Sequence, residues 1–146
     1  MATHSAIHTL IELATKDADE AAKRLGAALR ASEETGQKLA LLLQYRDDYA
    51  ARCQADLASG LTATGYLNFR VFLEKLDNAI AGQREVVREA QKLVDAARRV
   101  WQENERKRMS FGTLATRAKK QARQHETRHD QKLTDEHATR QTLYKR

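Results

Sequence analysis

The chain contains no proline, and apolar residues spaced alternately three and four apart run along it on both sides of a single break. Proline ends helices because it lacks an amide donor and clashes with the preceding turn. Without it, and with only six glycines in 146 residues, long helices are the expectation. The first series is Ile11, Ala14, Ala18, Ala21, Leu25, Ala28, Ser32, Thr35, Leu39, Leu42, Arg46, Tyr49 and Cys53, a heptad seam rich in alanine. The opposite face carries Lys16, Asp17, Glu20, Lys23, Arg30, Glu33 and Glu34, the solvated side that such a helix requires. Thr9 with Glu12 has the form of a capping box near its start. The one strong break is SGLTATG, from Ser59 to Gly65, where glycines and threonines gather and Thr62 or Thr64 can cap the second helix.

Beyond the break the spacing resumes at Phe69, Leu73, Leu76, Ile80, Gln83, Val87, Ala90, Val94, Ala97, Trp101, Asn104, Arg108, Phe111, Ala115, Ala118 and Ala122. Gly82 and Gly112 lie inside this pattern, each at a cost of about 1 kcal/mol against alanine, and allow bends. The predicted fold is all-α: one domain spanning the chain, with helices over about residues 5–58 and 66–140 and a turn over about 59–65. A short turn folds two seamed helices back as an antiparallel coiled-coil hairpin. With the turn centred near residue 62, paired positions sum to roughly 124, setting Leu39 near Glu85 and Ile11 near Thr113. The first helix then runs out when the second reaches about Arg123, and the second overhangs for about another 20 residues, near 30 Å.

Composition narrows the function. Charged residues are 32% and aromatics 5%, with a mean hydropathy of -0.72, enough apolar material for a narrow seam but not for a thick core with a catalytic cleft. There is no apolar run long enough to cross a bilayer, and MATHSAIHTLIEL lacks the charged flank and long apolar stretch of a signal peptide, so a cytosolic chain with no direct membrane insertion is expected. The lone Cys53 reads as a seam residue, with no neighbouring His and acid to activate it. Residues 125–129 read HETRH, the letters of a zinc-peptidase helix in which His125 and His129 would hold metal and Glu126 act as base. On the expected overhang, Asp135, Glu136 and His137 are carried away from the pair and nothing surrounds it. The reading is therefore no catalytic residue, no metal site, no cofactor and no enzyme.

Charge is concentrated. Between Arg98 and Arg123 nine basic residues face two acidic ones, +7, against +6 for the whole chain. An acidic partner there, or a merely solvated face, both suit this field. Nucleic acid is not favoured, because the only aromatic residues in that stretch, Trp101 and Phe111, sit at seam positions. Around the turn the sequence gathers Tyr45, Tyr49, Tyr66, Phe69 and Phe72, more aromatic surface than a two-helix hairpin can bury, and so a candidate partner contact.

LLLQYRDDYAARC, SGLTATG, YLNFRVFLEKLDNAI, the basic RRVW region and the DQKLTDEHATR tail together resemble the FliJ family of the bacterial flagellar type III export apparatus. The resemblance extends through TLIELATKDADEAAKRLG and covers nearly the whole chain; it is most specific in the two segments flanking the turn. It implies a long antiparallel hairpin similar to the stalk of the gamma subunit of rotary ATP synthases. It also implies three partners: the flagellar export ATPase ring, the cytosolic domain of the export gate FlhA, and export chaperones. The family's gate-binding surface maps onto Leu42, Tyr45, Tyr49, Phe72, Leu76 and Ala79. Lys38 and Gln83 depart from the family's pattern. The gamma-like picture places the chain ends in the ATPase pore, where Arg117, Lys119, Lys120 and Arg123 would meet acidic groups. The implied role is in flagellum assembly, protein transport and motility, with the protein cytoplasmic and held peripherally at the inner membrane. A generic cytosolic coiled-coil scaffold or dimer is the alternative.

Overall fold

The computed structural model describes residues 2–145, with side-chain environments from Ser5 onward. Two helices account for nearly all of it: α1, Ala2–Ala58, of 57 residues, and α2, Ala63–Tyr144, of 82 residues. They pack antiparallel as an all-α hairpin, with no strand among the described residues. Thr9 lies inside α1 and its hydroxyl donates to the Ser5 carbonyl at 2.9 Å. It is therefore not an N-cap, and Glu12 pairs with His8 at 3.0 Å instead.

The turn is built from backbone chemistry. Gly60 has φ 98°, and two bonds close the end of α1, from the Leu61 amide to the Asp56 carbonyl at 2.9 Å and from the Gly60 amide to the Leu57 carbonyl at 3.4 Å. This is the Schellman arrangement, which satisfies carbonyls that have run out of helix. Two residues later the Thr62 hydroxyl accepts the Gly65 amide at 3.1 Å, so Thr62 is the N-cap and α2 starts at Ala63. Replacing Gly60 by alanine places a Cβ in the left-handed region and is expected to destabilise the protein by about 1–2 kcal/mol, read from the midpoint of urea unfolding.

By its contacts the chain divides into two compact units, and each helix contributes to both. One unit is residues 20–102 and the other is residues 1–19 with 103–146. In the first, Ala21, Cys53, Ile80, Ala90 and Val94 are buried, with Val94 only 1% exposed. The remaining seam residues there are half-buried, as expected where two helices cover only one stripe of each other. Four contacts fix the pairing. Tyr49 meets Phe69 and Phe72 with ring centroids 4.9 and 4.4 Å apart. The Gln83 amide donates to the Thr35 carbonyl at 3.0 Å, and Arg46 pairs with Asp77 at 2.5 Å. These pairs sum to between 118 and 123, slightly less than the 124 expected, so the residue opposite Leu39 falls between Ala79 and Arg84 rather than at Glu85. The turn closes earlier because Thr62 caps and α2 begins three residues sooner than its apolar pattern indicates.

In the second unit Ala14 and Ala18 are buried, and Ile11, Asn104, Phe111, Ala115 and Ala118 are half-buried. Two expected seam residues are exposed instead, Arg108 and Ala122. Arg108 is held outward by Glu105, which it contacts through two bonds at 3.1 and 2.9 Å. Ala122 lies past the reach of α1, which supplies only its first residues to this unit. From Lys119 to Lys145 every residue is exposed, so α2 continues there as a lone helix.

Candidate functional site

The register of α1 and α2 decides which side of the hairpin carries chemistry in the unit of residues 20–102. Tyr49, Phe69, Thr35 and Gln83 occupy the second seam position of their heptads and meet one another. Arg46 occupies the first, and its partner Asp77 lies at the neighbouring edge. The pair therefore has two distinct lateral edges. On the edge shared by Tyr49 and Phe72 lie all six residues to which the family resemblance assigns gate binding. Leu42, Tyr49 and Leu76 are half-buried in the seam, and Tyr45, Phe72 and Ala79, each one residue before a seam position, stand exposed beside them.

Tyr49 is the structural member of this set, sandwiched against Phe69 and Phe72 in tilted ring contacts, a geometry that adds to simple burial. Tyr45 is 57% exposed and Phe72 42%. Large aromatic faces left open beside a rigid packed ring are the usual form of an interface anchor, because little conformational entropy remains to be lost on docking. On the opposite edge Asp77, by its hydrogen bond and then its charge, holds the Arg46 guanidinium even more firmly protonated than usual. That pair is largely solvated and serves mainly to fix register.

The structure adds residues that the sequence reading passed over. Val86, Leu93 and Val100 are each about half exposed or more and continue the edge of Phe72 and Ala79 at seven-residue spacing. The signal was present, since each immediately precedes a seam residue, but the seam was read without its flanks.

In the other unit, Arg117, Lys119, Lys120 and Arg123 are exposed on α2. Among the described residues none of the four takes part in a salt bridge. Lys120 and Arg123 border one shallow surface depression with Gln124, Thr127 and Arg128; on the same helix Lys119 stands one turn before Arg123 and Arg117 one turn before Lys120. His125 and His129 lie on the exposed single helix with Glu126 and Asp130 beside them. Among the described residues no group of three or more His, Cys, Asp or Glu is placed to hold a metal ion. His137, one candidate third ligand, is 3.4 Å from the Gln141 amide instead. Replacing both His125 and His129 by alanine is expected to leave the melting temperature and swimming unchanged, measured with and without a zinc chelator, because two imidazoles on an open helix lack the enclosing shell that a working site needs.

Comparison with known proteins decides the family. A sequence model described as "Flagellar FliJ protein" matches residues 3–146. The chain belongs to the FliJ family. It is 32% identical over 145 residues to the Flagellar FliJ protein of Escherichia coli (strain K12), covering 99% of both chains, and 32% identical to that of Salmonella typhi over the same extent. FliJ membership thus spans both units, including the lone helical stretch of α2 and its HETRH segment. Among the described residues no helix is long and apolar enough to cross a membrane, in keeping with helices whose apolar residues form seams rather than continuous runs.

Proposed function

We propose that this FliJ protein is a non-enzymatic component of the bacterial flagellar type III export apparatus, joining the export ATPase ring to the cytosolic domain of the export gate FlhA and engaging export chaperones. The observation that carries the gate-binding part is the single edge in residues 20–102 on which Leu42, Tyr45, Tyr49, Phe72, Leu76 and Ala79 stand together. An aromatic edge on a stiff helical pair suits a docking surface, and nothing in it suits bond-making chemistry. The basic residues Arg117, Lys119, Lys120 and Arg123 are the proposed contact with the ATPase ring, by long-range attraction to acidic groups. Such a protein works in the cytoplasm against the inner membrane at the flagellar base, held there by its partners, and supports flagellum assembly and motility.

The test is a deletion strain complemented with the chain, together with pull-down of purified ATPase and gate domain. Restored swimming and capture of both partners support the reading. A deletion strain that swims and exports normally, with neither partner captured, overturns it in favour of a generic helical scaffold.

A further inference from the structure

We infer that the hairpin of residues 20–102 contains a built-in bending point at the level of Gly36 and Gly82. Neither glycine is required by packing: a Cβ built on either would meet no heavy atom within 4 Å. Neither has the positive φ that would call for glycine. Each sits inside a long helix, where glycine weakens the local turn relative to alanine with no compensating contact. The two lie at one level, because their neighbours Thr35 and Gln83 touch directly, the Gln83 amide donating to the Thr35 carbonyl at 3.0 Å.

The seam at this level is polar as well. Ser32, Thr35 and Gln83 occupy positions that, Arg46 apart, hold aliphatic, aromatic or thiol side chains along the rest of this unit. The buried side chains of this unit fall on either side, with Ile80 and Cys53 towards the turn and Ala90, Val94 and Ala21 away from it. The Thr35 hydroxyl donates to the Ser32 carbonyl at 2.8 Å, a back-bond of the kind that bends helices. Gln83 then adds a second donor at the Thr35 carbonyl, loading one point of the α1 ladder. Weak helical turns on both strands, a polar seam and a perturbed ladder coincide at one place. A bend there re-aims the segment of residues 39–80, with its edge of Tyr45, Phe72 and Ala79, relative to the rest of the same unit. This inference does not depend on the export role.

Hydrogen exchange and spin-label distances test it on the full chain. The amides of Leu39, Ala40, Val86 and Val87 are expected to exchange faster than those following Ala21 and Val94, and Gly36→Ala with Gly82→Ala is expected to slow them about fivefold per glycine. Spin labels at the exposed positions Ala27 and Ala51, in a Cys53→Ala background, span about 36 Å along a straight helix. Their distance distribution is expected to be broad in the natural chain and to narrow in the double alanine variant. Gly26→Ala, at a glycine outside this level with only the tip of Arg30 nearby at 3.8 Å, controls for a general gain in helicity and is expected to leave the breadth unchanged. Exchange at this level as slow as beside Val94, or a distribution whose breadth does not respond to the two substitutions, overturns the inference.

Discussion

Tyr45→Ala combined with Phe72→Ala is expected to weaken binding to the cytosolic domain of the export gate by more than about a hundredfold while leaving binding to the export ATPase within about twofold, because aromatic anchors at an interface centre cost about 2 kcal/mol or more apiece. Both side chains are substantially exposed, at 57% and 42%, so most of what is lost is partner contact rather than hairpin packing. Phe72 does touch Tyr49, and the melting temperature therefore has to be followed in the same samples. Tyr49→Ala is a different experiment: it removes the ring that meets both Phe69 and Phe72, and it is expected to lower both gate binding and stability. Equal loss of both partners by the Tyr45 and Phe72 variant, at unchanged helicity, would sink the assignment of this edge to the gate.

The second large effect belongs to the basic stretch. Reversing Arg117, Lys119, Lys120 and Arg123 to glutamate is expected to slow association with the purified ATPase ring about tenfold to a hundredfold at low salt, the range over which a localised charge field steers encounter. The four side chains are exposed, so fold and stability are expected to be nearly untouched. The defect should shrink as salt rises, since the screening length falls from about 10 Å at 0.1 M to about 3 Å at 1 M. A stopped-flow series over ionic strength reads this directly. Because the steering field sums over its charges, reverting Lys119 alone is expected to recover less of the rate than reverting Lys120 and Arg123 together. An association rate indifferent to both charge reversal and salt would leave these residues as a solubilising face only.

How much of the fold and of the candidate site was legible differs from residue to residue. The seam of α1 was readable in full: from Ile11 to Cys53 every position of the series is buried or half-buried, because a 3.5-residue apolar repeat leaves one stripe to hide and the chain has no proline to interrupt it. In α2 the same reading failed at two positions for two reasons. Arg108 has the right spacing but a better partner in Glu105, and Ala122 has the right chemistry but no opposing helix left to cover it. The capping letters at Thr9 and Glu12 failed because a cap is a property of where a helix begins, and α1 begins at Ala2. The functional side was half legible. Aromatic residues flanking the turn could be noticed in the sequence, but assigning Tyr45, Tyr49, Phe72 and their three aliphatic neighbours to gate binding came from the family resemblance.

The sequence by itself determined that there would be two helices, one turn within SGLTATG, a narrow seam rich in alanine, and a basic stretch past Arg98; that Gly60 turns the chain and Thr62 rather than Thr64 caps α2 came from the structure. Those features obey local rules: heptad period, the left-handed freedom of glycine, the capping hydroxyl of threonine, and counted charge. Only the tertiary structure decided which residues of one helix meet which of the other. The contacts of Tyr49 with Phe72 and of Gln83 with Thr35 set a register that spacing leaves open by a residue or two, since a heptad seam can slide with little change in its apolar count. That register is what gathers Tyr45, Phe72 and Ala79 on one edge and brings Gly36 level with Gly82. The physical reason is that burial rewards the stripe as a whole, whereas shape and hydrogen bonding between particular side chains choose the pairing.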